Sequence, residues 1–330
     1  MNGLLNLAHA MGSLVIDYAS VDANNPPDFE ALYASGVRVV AIRKSYCYWD
    51  TGHRAWVLAF DHTYERDAAR ARAAGLVVIA YYFAVFAAGA PSPAEQFANF
   101  LAAPGDIIPG VDLPPCVDVE WGSGGFASLH QTPAAVLKLI LEHADLLRQK
   151  FGRTVGDKKV GGGTIYTAQN EWYDLGSPAA PELADMDLWV KTAYVNHPNT
   201  QLDTSVVPRL PHEAYDPHDD IGYYQVPRPW AGVSWAMQQT HGDTLGVVSH
   251  TCDMGRYHVL KPGDQGPRVA EFQRRLAHLG APAAGPLNVT GVYDADTEQA
   301  VRALQKARGL TEDGVAGAHA QAAASWGPAA

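Results

Sequence analysis

Charge and sulfur are both scarce in this 330-residue chain. Only 18% of its residues are Asp, Glu, Lys or Arg, against 47% apolar. That balance excludes a disordered polymer and describes a well-buried globular protein. Basic residues are the scarcer kind, 24 Lys+Arg against 35 Asp+Glu, and the net charge of −11 argues against nucleic acid as a partner and against adhesion to an anionic membrane. Three cysteines, Cys47, Cys116 and Cys252, contain no CxxC pair and cannot all be bridged within one chain. No disulfide framework is implied, which fits folding in a reducing compartment. No apolar run approaches the roughly 18–20 residues of a membrane span, so no membrane insertion is expected. The opening segment, residues 1–10, has a brief apolar patch with no basic residue ahead of it. It lacks the charged and long apolar regions of a secretory signal, and the expectation is a protein made soluble in the cytoplasm.

What is present divides in two. From Val259 onward there are seven Lys+Arg and seven Asp+Glu, so the whole of the −11 lies before that point. Length alone suits one large and one small unit, and the boundary is expected between residues 1–258 and 259–330. In the first unit, short apolar runs alternate with helical segments. Strands are predicted at Leu14–Tyr18, Val37–Arg43, Leu76–Ala84, Pro115–Glu120, Gly163–Thr167, Met186–Tyr194 and Val233–Gln239, with a weaker eighth at Gly246–Asp253. Helices are predicted at Asp28–Ala34, His62–Ala74, Ala94–Leu101 and Pro133–Phe151. In the last of these, Val136, Leu137, Ile140, Leu141, Ala144 and Leu147 recur at helical spacing. Strands apolar on both faces and alternating with helices imply an α/β fold with a covered parallel sheet. Eight of them favour closure into an irregular TIM-like β/α barrel, its last strands joined by loops. The second unit opens at Leu260–Gly266, rich in turn residues, and carries amphipathic helices at Val269–Leu279 and Asp296–Ala307. It reads as a small all-α bundle of two or three helices with no paired catalytic groups.

The chemistry concentrates at Asp118-Val119-Glu120, which closes the apolar run 113–117 and leads into Gly122, Gly124 and Gly125. On a strand, residues two apart share a face, so the two carboxylates are expected on one side, roughly 7 Å apart along the backbone. Paired carboxylates at the end of a core strand suit acid/base work on a glycosidic bond. A loop-solvated acidic pair is the competing reading. Asp17 and Asp253 also fall at or near strand ends, where barrel enzymes keep their chemistry. Cys116 shares parity with Asp118 and reads as a small core residue. His212, Asp216, His218, Asp219 and Asp220 match no defensible ligand spacing, and a solvated loop is expected there rather than a metal site.

In order along residues 13–258, the segments Val15-Ile-Asp-Tyr-Ala-Ser20, Gly36-Val-Arg-Val-Val-Ala-Ile-Arg43, Ala80-Tyr-Tyr-Phe-Ala84, Pro114-Pro-Cys-Val-Asp-Val-Glu120, Ile165-Tyr-Thr167, Leu188-Trp-Val190, Trp235-Ala-Met-Gln-Gln239 and Cys252-Asp-Met-Gly-Arg-Tyr257 resemble the family 25 glycoside hydrolases, N-acetylmuramidases of bacterial cell walls. Residues 260–276, 291–301, 304–305 and 313–315 resemble the small peptidoglycan-binding domain that accompanies wall hydrolases. The first domain departs from the family in three places. Arg43-Lys-Ser-Tyr-Cys-Tyr-Trp-Asp50 replaces a Lys-Ala-Thr-Glu-Gly-like segment, Tyr82 stands where a His is common, and Met237-Gln238-Gln239 replaces a Trp-Gln-Tyr motif. The segment Asn196–Arg228 has no ready counterpart.

The resemblance implies a modular lysozyme, of phage endolysin type, that hydrolyses the β-1,4 bond between N-acetylmuramic acid and N-acetylglucosamine with net retention. It needs no cofactor and no metal. Its partner is peptidoglycan, it acts as a monomer, and it waits in the infected host's cytoplasm until release to the wall at lysis. Glu120 would be the general acid, with a raised pKa, and Asp118 would stay ionised to steady developing positive charge, the substrate's acetamido group serving as nucleophile. Asp17 and Asp253 would orient these groups. Tyr82, Tyr166, Trp189 and Gln238 would contact substrate. A wall-binding protein without catalysis and a chitin-directed retaining glycosidase are the rival readings.

Overall fold

The computed structural model describes residues 13–18, 27–34, 36–122, 124–191, 230, 236–245, 251–280 and 287–326. The architecture is mixed α/β: a curled, largely parallel sheet followed by a helical region, consistent with a TIM-like fold. Strands β1 (Ser13–Tyr18), β2 (Val37–Asp50), β3 (Ala55–Phe60), β4 (Val77–Phe83), β5 (Cys116–Asp118), β8 (Thr164–Ala168), β9 (Asp187–Lys191), β10 (Met237–Leu245) and β11 (Thr251–Tyr257) form one sheet, while β6 (Arg153–Val155) and β7 (Lys158–Val160) make a separate hairpin. Pairing is parallel along β1–β2–β4–β5–β8–β9–β10. Antiparallel β11 then joins β10 to β1, so that β1 has a neighbour on both edges.

Helices cover this sheet because its outward side chains are apolar. Val40, Ile42, Val78, Ala80, Tyr82, Val117, Val119, Ile165 and Leu188 pack with residues of α1 (Phe29–Ala34), α2 (Tyr64–Ala73), α3 (Pro93–Ala102) and α4 (Pro133–Phe151). The alternate residues Val39, Ala41, Val77, Ile79, Tyr81, Cys116, Tyr166, Trp189 and Met237 form a second, inner cluster. Period-two alternation thus sorts the central strands β2, β4, β5, β8 and β9 into two buried faces. The helices start where local chemistry allows. Ser92 and Glu95 form a reciprocal capping box on α3, and Thr132 accepts from Ala135 N–H ahead of Pro133 on α4.

Several elements differ from the sequence expectation. β2 runs seven residues past Arg43 and turns into β3, a hairpin the sequence reading omitted. β5 is short and ends at Asp118, so Glu120 lies beyond the strand. The last two strands are displaced toward the C-terminus from Val233–Gln239 and Gly246–Asp253. A bulge in β2 accounts for the first difference. Arg43 faces Tyr81 and Ser45 faces Tyr82, leaving Lys44 as an extra residue. The Lys44 ammonium is turned outward to the carbonyls of Phe100 and Ala103 at the C-terminal end of α3, where the helix dipole favours a cation. Burial holds its pKa down to about 8.

The helical region comprises α6 (Pro267–His278), α7 (Ala295–Ala307) and α8 (Ala318–Ser325), with Asp294 capping α7 through Thr297 N–H. It is seated on the N-terminal ends of the strands. Ala318 and Ala322 join the inner cluster with Val15, Val39 and Val77. At the first residue of β9, Asp187 is buried against Arg268 and Arg275 of α6, Arg275 Nη2 and Nη1 donating at 2.8 and 3.0 Å. Trp326 Nε1 donates to Asp112 O at 2.7 Å, and His319 Nε2 meets Gly75 O at 3.0 Å.

Candidate active site

The C-terminal strand ends, opposite the helical region, collect the charged groups. Parity puts Asp118 on the inner face with Cys116, in register with Phe83 of β4 and Tyr166 of β8. The Asp118 side chain is buried, and its Oδ1 has no hydrogen-bond partner among the described residues. Burial raises its pKa well above the carboxylate range, and the neighbouring charges of Glu120 and Asp17 raise it further, against the opposing effect of Lys191. Glu120 stands at the rim with a quarter of its side chain exposed, and Lys191 Nζ at the end of β9 lies 3.3 Å from its Oε2. Trp121 fixes the turn beneath Glu120 by donating Nε1 to Asp174 Oδ2 at 3.0 Å and by packing edge-on to Phe86 and Phe126. Gly122, at φ 66°, then supplies the left-handed conformation that turns the chain away.

Asp17, at the end of β1, belongs to the same group: its charge acts on Asp118 and on Tyr81, to which it also hydrogen-bonds. Tyr166 and Trp189 lie side by side on the inner face, their rings 5.0 Å apart and edge-on. The backbone of Asp253 pairs with Asp17, and that of Gln238 pairs with Val190 and Arg256. Their side chains lie outside the described residues, as do the side chain of Cys252, the whole of Asn196–Arg228 and the His212–Asp220 group.

One expectation needs correction. Tyr82 does not face the cleft. It is 1% exposed on the outer face, where its hydroxyl meets His143 Nδ1 at 3.0 Å and its ring packs on Phe100. The inward residue is Tyr81.

Sequence reasoning also missed three members of the group. Lys191 is a lone cation ending an apolar strand, which was a usable signal. Glu171 sits on α5 (Gln169–Asp174), a helix too short to show periodicity. It is buried, its pKa is raised by burial, and the charge of Glu120 acts on it. Tyr81 could not be separated from Tyr82, because both faces of β4 are apolar.

A curled parallel sheet carrying inward carboxylates at its C-terminal strand ends places the group where β/α-barrel enzymes keep their chemistry. The comparisons make the assignment specific. Residues 16–212 match the model of glycosyl hydrolases family 25, and residues 265–323 match that of a peptidoglycan binding domain. The chain belongs to family 25 of the glycosyl hydrolases and bears a C-terminal peptidoglycan-binding domain. It is similar in fold to a muramidase from Trichobolus zukalii (18% identity, 74% of this chain and 93% of that one covered, TM-score 0.52). It is likewise similar to a bacterial lysozyme from Streptomyces coelicolor (18%, 75% and 92%, TM-score 0.52). A family GH25 lysozyme from Aspergillus fumigatus gives 17% identity, 74% and 93% coverage and a TM-score of 0.51. Among curated proteins no match is found.

Proposed function

We propose that the protein is a muramidase, cutting the β-1,4 bond between N-acetylmuramic acid and N-acetylglucosamine in peptidoglycan. The observation that carries this reading is the pair itself. Asp118 is buried, with its proton affinity raised by burial and by the neighbouring carboxylates, while Glu120 sits two residues on at the partly exposed rim. Two carboxyls in contrasting environments are what proton transfer to a leaving oxygen and stabilisation of the sugar require. In this reading Glu120 delivers the proton to the glycosidic oxygen. Asp118, whose buried Oδ1 has no donor among the described residues, accepts the N–H of the 2-acetamido group as that group attacks the anomeric carbon. The raised proton affinity of Asp118 makes it a better base for that step. Attack by the substrate's own acetamido oxygen from the face opposite the leaving group, followed by water from the face that the leaving group vacated, gives net retention through two inversions.

Asp17 and Asp253 position this pair, Lys191 positions Glu120, and Tyr166, Trp189 and Gln238 contact substrate. The domain beginning near residue 259 holds the enzyme to the wall. The union of hydrolytic and wall-binding domains in one chain supports use as an endolysin. Comparing reducing-end release from purified peptidoglycan and from chitin tests the substrate class: turnover of peptidoglycan alone is expected, and preferential turnover of chitin would overturn the reading.

A further inference from the structure

The hairpin β2–β3 extends past the level of the carboxylates at the cleft end, and the reaction scheme does not use it. It owes its direction to the Lys44 bulge. Before the bulge Ala41 faces inward, and after it Tyr46 comes into register with Phe83, which is in register with Asp118. Tyr46 and Tyr48 therefore continue the inner face of the sheet above the level of the carboxylate. At ~3.3 Å per residue, Tyr48 stands about 7 Å and the hairpin tip at Asp50 about 13 Å beyond that level. The two rings lie 5.7 Å apart and inclined by 33°, and the Arg43 guanidinium packs beneath Tyr46 at 4.3 Å. Tyr48 is 41% exposed. One exposed aromatic is ordinary, but a stripe continuous with a site is informative.

The blade is also rigid. Six residue pairs from Ser45–Phe60 to Asp50–Ala55 knit it, and Trp49 packs edge-on against Trp56 on the opposite face at 5.3 Å. Asp50 Oδ1 accepts from Gly52 and His53 N–H at the turn, and Asn99 ties Ala59 O to α3 at 3.0 Å. Such preorganisation lowers the ordering cost of binding.

We propose that Tyr46 and Tyr48 form a carbohydrate subsite for a further N-acetylated hexosamine ring of the glycan strand, beyond the two sugars at the scissile bond. Sugar rings present flat C–H faces that lie on aromatic rings, while the phenol hydroxyls meet the sugar's polar edge. Its position on the same face as Asp118 selects the glycan strand over other occupants, and the proposal rests on the muramidase reading. The subsite makes the enzyme favour long glycans over short ones.

The test is the ratio of kcat/KM for a hexasaccharide to that for a tetrasaccharide of alternating N-acetylglucosamine and N-acetylmuramic acid, measured on the full chain. Tyr48→Ala is expected to lower that ratio about tenfold, the size of one good aromatic contact, and Tyr48→Phe, which keeps the ring face and loses only the hydroxyl contact, is expected to retain most of it. An unchanged ratio in Tyr48→Ala, with wild type cutting both oligomers, overturns the subsite and leaves the muramidase reading standing. Failure of wild type to cut either oligomer overturns both.

Discussion

Lys191 Nζ lies 3.3 Å from Glu120 Oε2, joining the end of β9 to the turn after β5. The same ammonium opposes the upward push that burial, Glu120 and Asp17 exert on Asp118. Removing it leaves a group of carboxylates without its cation, and each proton is then held more tightly. Lys191→Met should therefore move the pH profile of kcat/KM toward higher pH while the protein remains folded. A profile that stays in place would remove Lys191 from the proton chemistry.

Asp118 is costly to keep. Its folded pKa lies above its unfolded value near ~3.9, so the folded state binds the proton more tightly. The stability this contributes is fully present below that unfolded value and is lost as pH rises through the folded one. Asp118→Asn should thus melt at a higher temperature than wild type at pH 7, with a gap that narrows toward pH 4, and lose activity by about 10²-fold or more. Thermal melts of both proteins across that range check the sign. A variant less stable at pH 7 would contradict it.

Tyr82 separates the inner from the outer face of β4. Its hydroxyl meets His143, whose pKa burial lowers to about 3, so the neutral imidazole is the group being satisfied. Tyr82→Phe should cost about 1–3 kcal/mol, the penalty of a buried polar group left unpaired, and leave kcat/KM unaltered. Denaturant melts and kinetics on one preparation distinguish this from a substrate contact, which would lower kcat/KM.

Asp187 ties the two domains. With Arg268 and Arg275 closing on it, its carboxyl is held well below the usual carboxylate range despite burial. This stability is present above the unfolded pKa of ~3.9 and is lost as pH falls through the depressed folded value. Asp187→Ala leaves two buried guanidinium groups short of their carboxylate partner and should cost about 3–5 kcal/mol. Truncation after His258 also uncovers the apolar floor that Ala318 and Ala322 cover, and the remaining sheet is expected to be poorly soluble. Soluble, fully active truncated protein would show the seam to be dispensable.

Much of this was legible in the sequence. The 3.6-residue period of Pro133–Phe151, with Pro133 in its first turn and Gly152 at its exit, matched the helix residue for residue. The apolar runs of β4 and β8 lay within a residue of their observed bounds, and β9 begins one residue after its predicted start. The acidic pair was visible because carboxylates at the end of an apolar strand demand explanation. Which side each residue faced was harder to read. In a sheet buried on both faces, alternation carries no polar signal, so Tyr81 and Tyr82 could not be told apart. The Lys44 bulge was invisible because a single inserted residue changes register without changing composition. The contrast between Asp118 and Glu120 depended on where β5 ends, and ends are set by tertiary pairing more than by local preference. The seam between domains, a buried Asp187 with two arginines some 80 residues away, leaves no local trace.

Mass spectrometry of peptidoglycan digested by wild type and by Glu120→Gln tests the central claim most directly. Wild type should release fragments ending in a reducing N-acetylmuramic acid, and the variant, folded but without its proton donor, should release essentially none. Cleavage at amide bonds by wild type, or equal release by Glu120→Gln, would contradict the account.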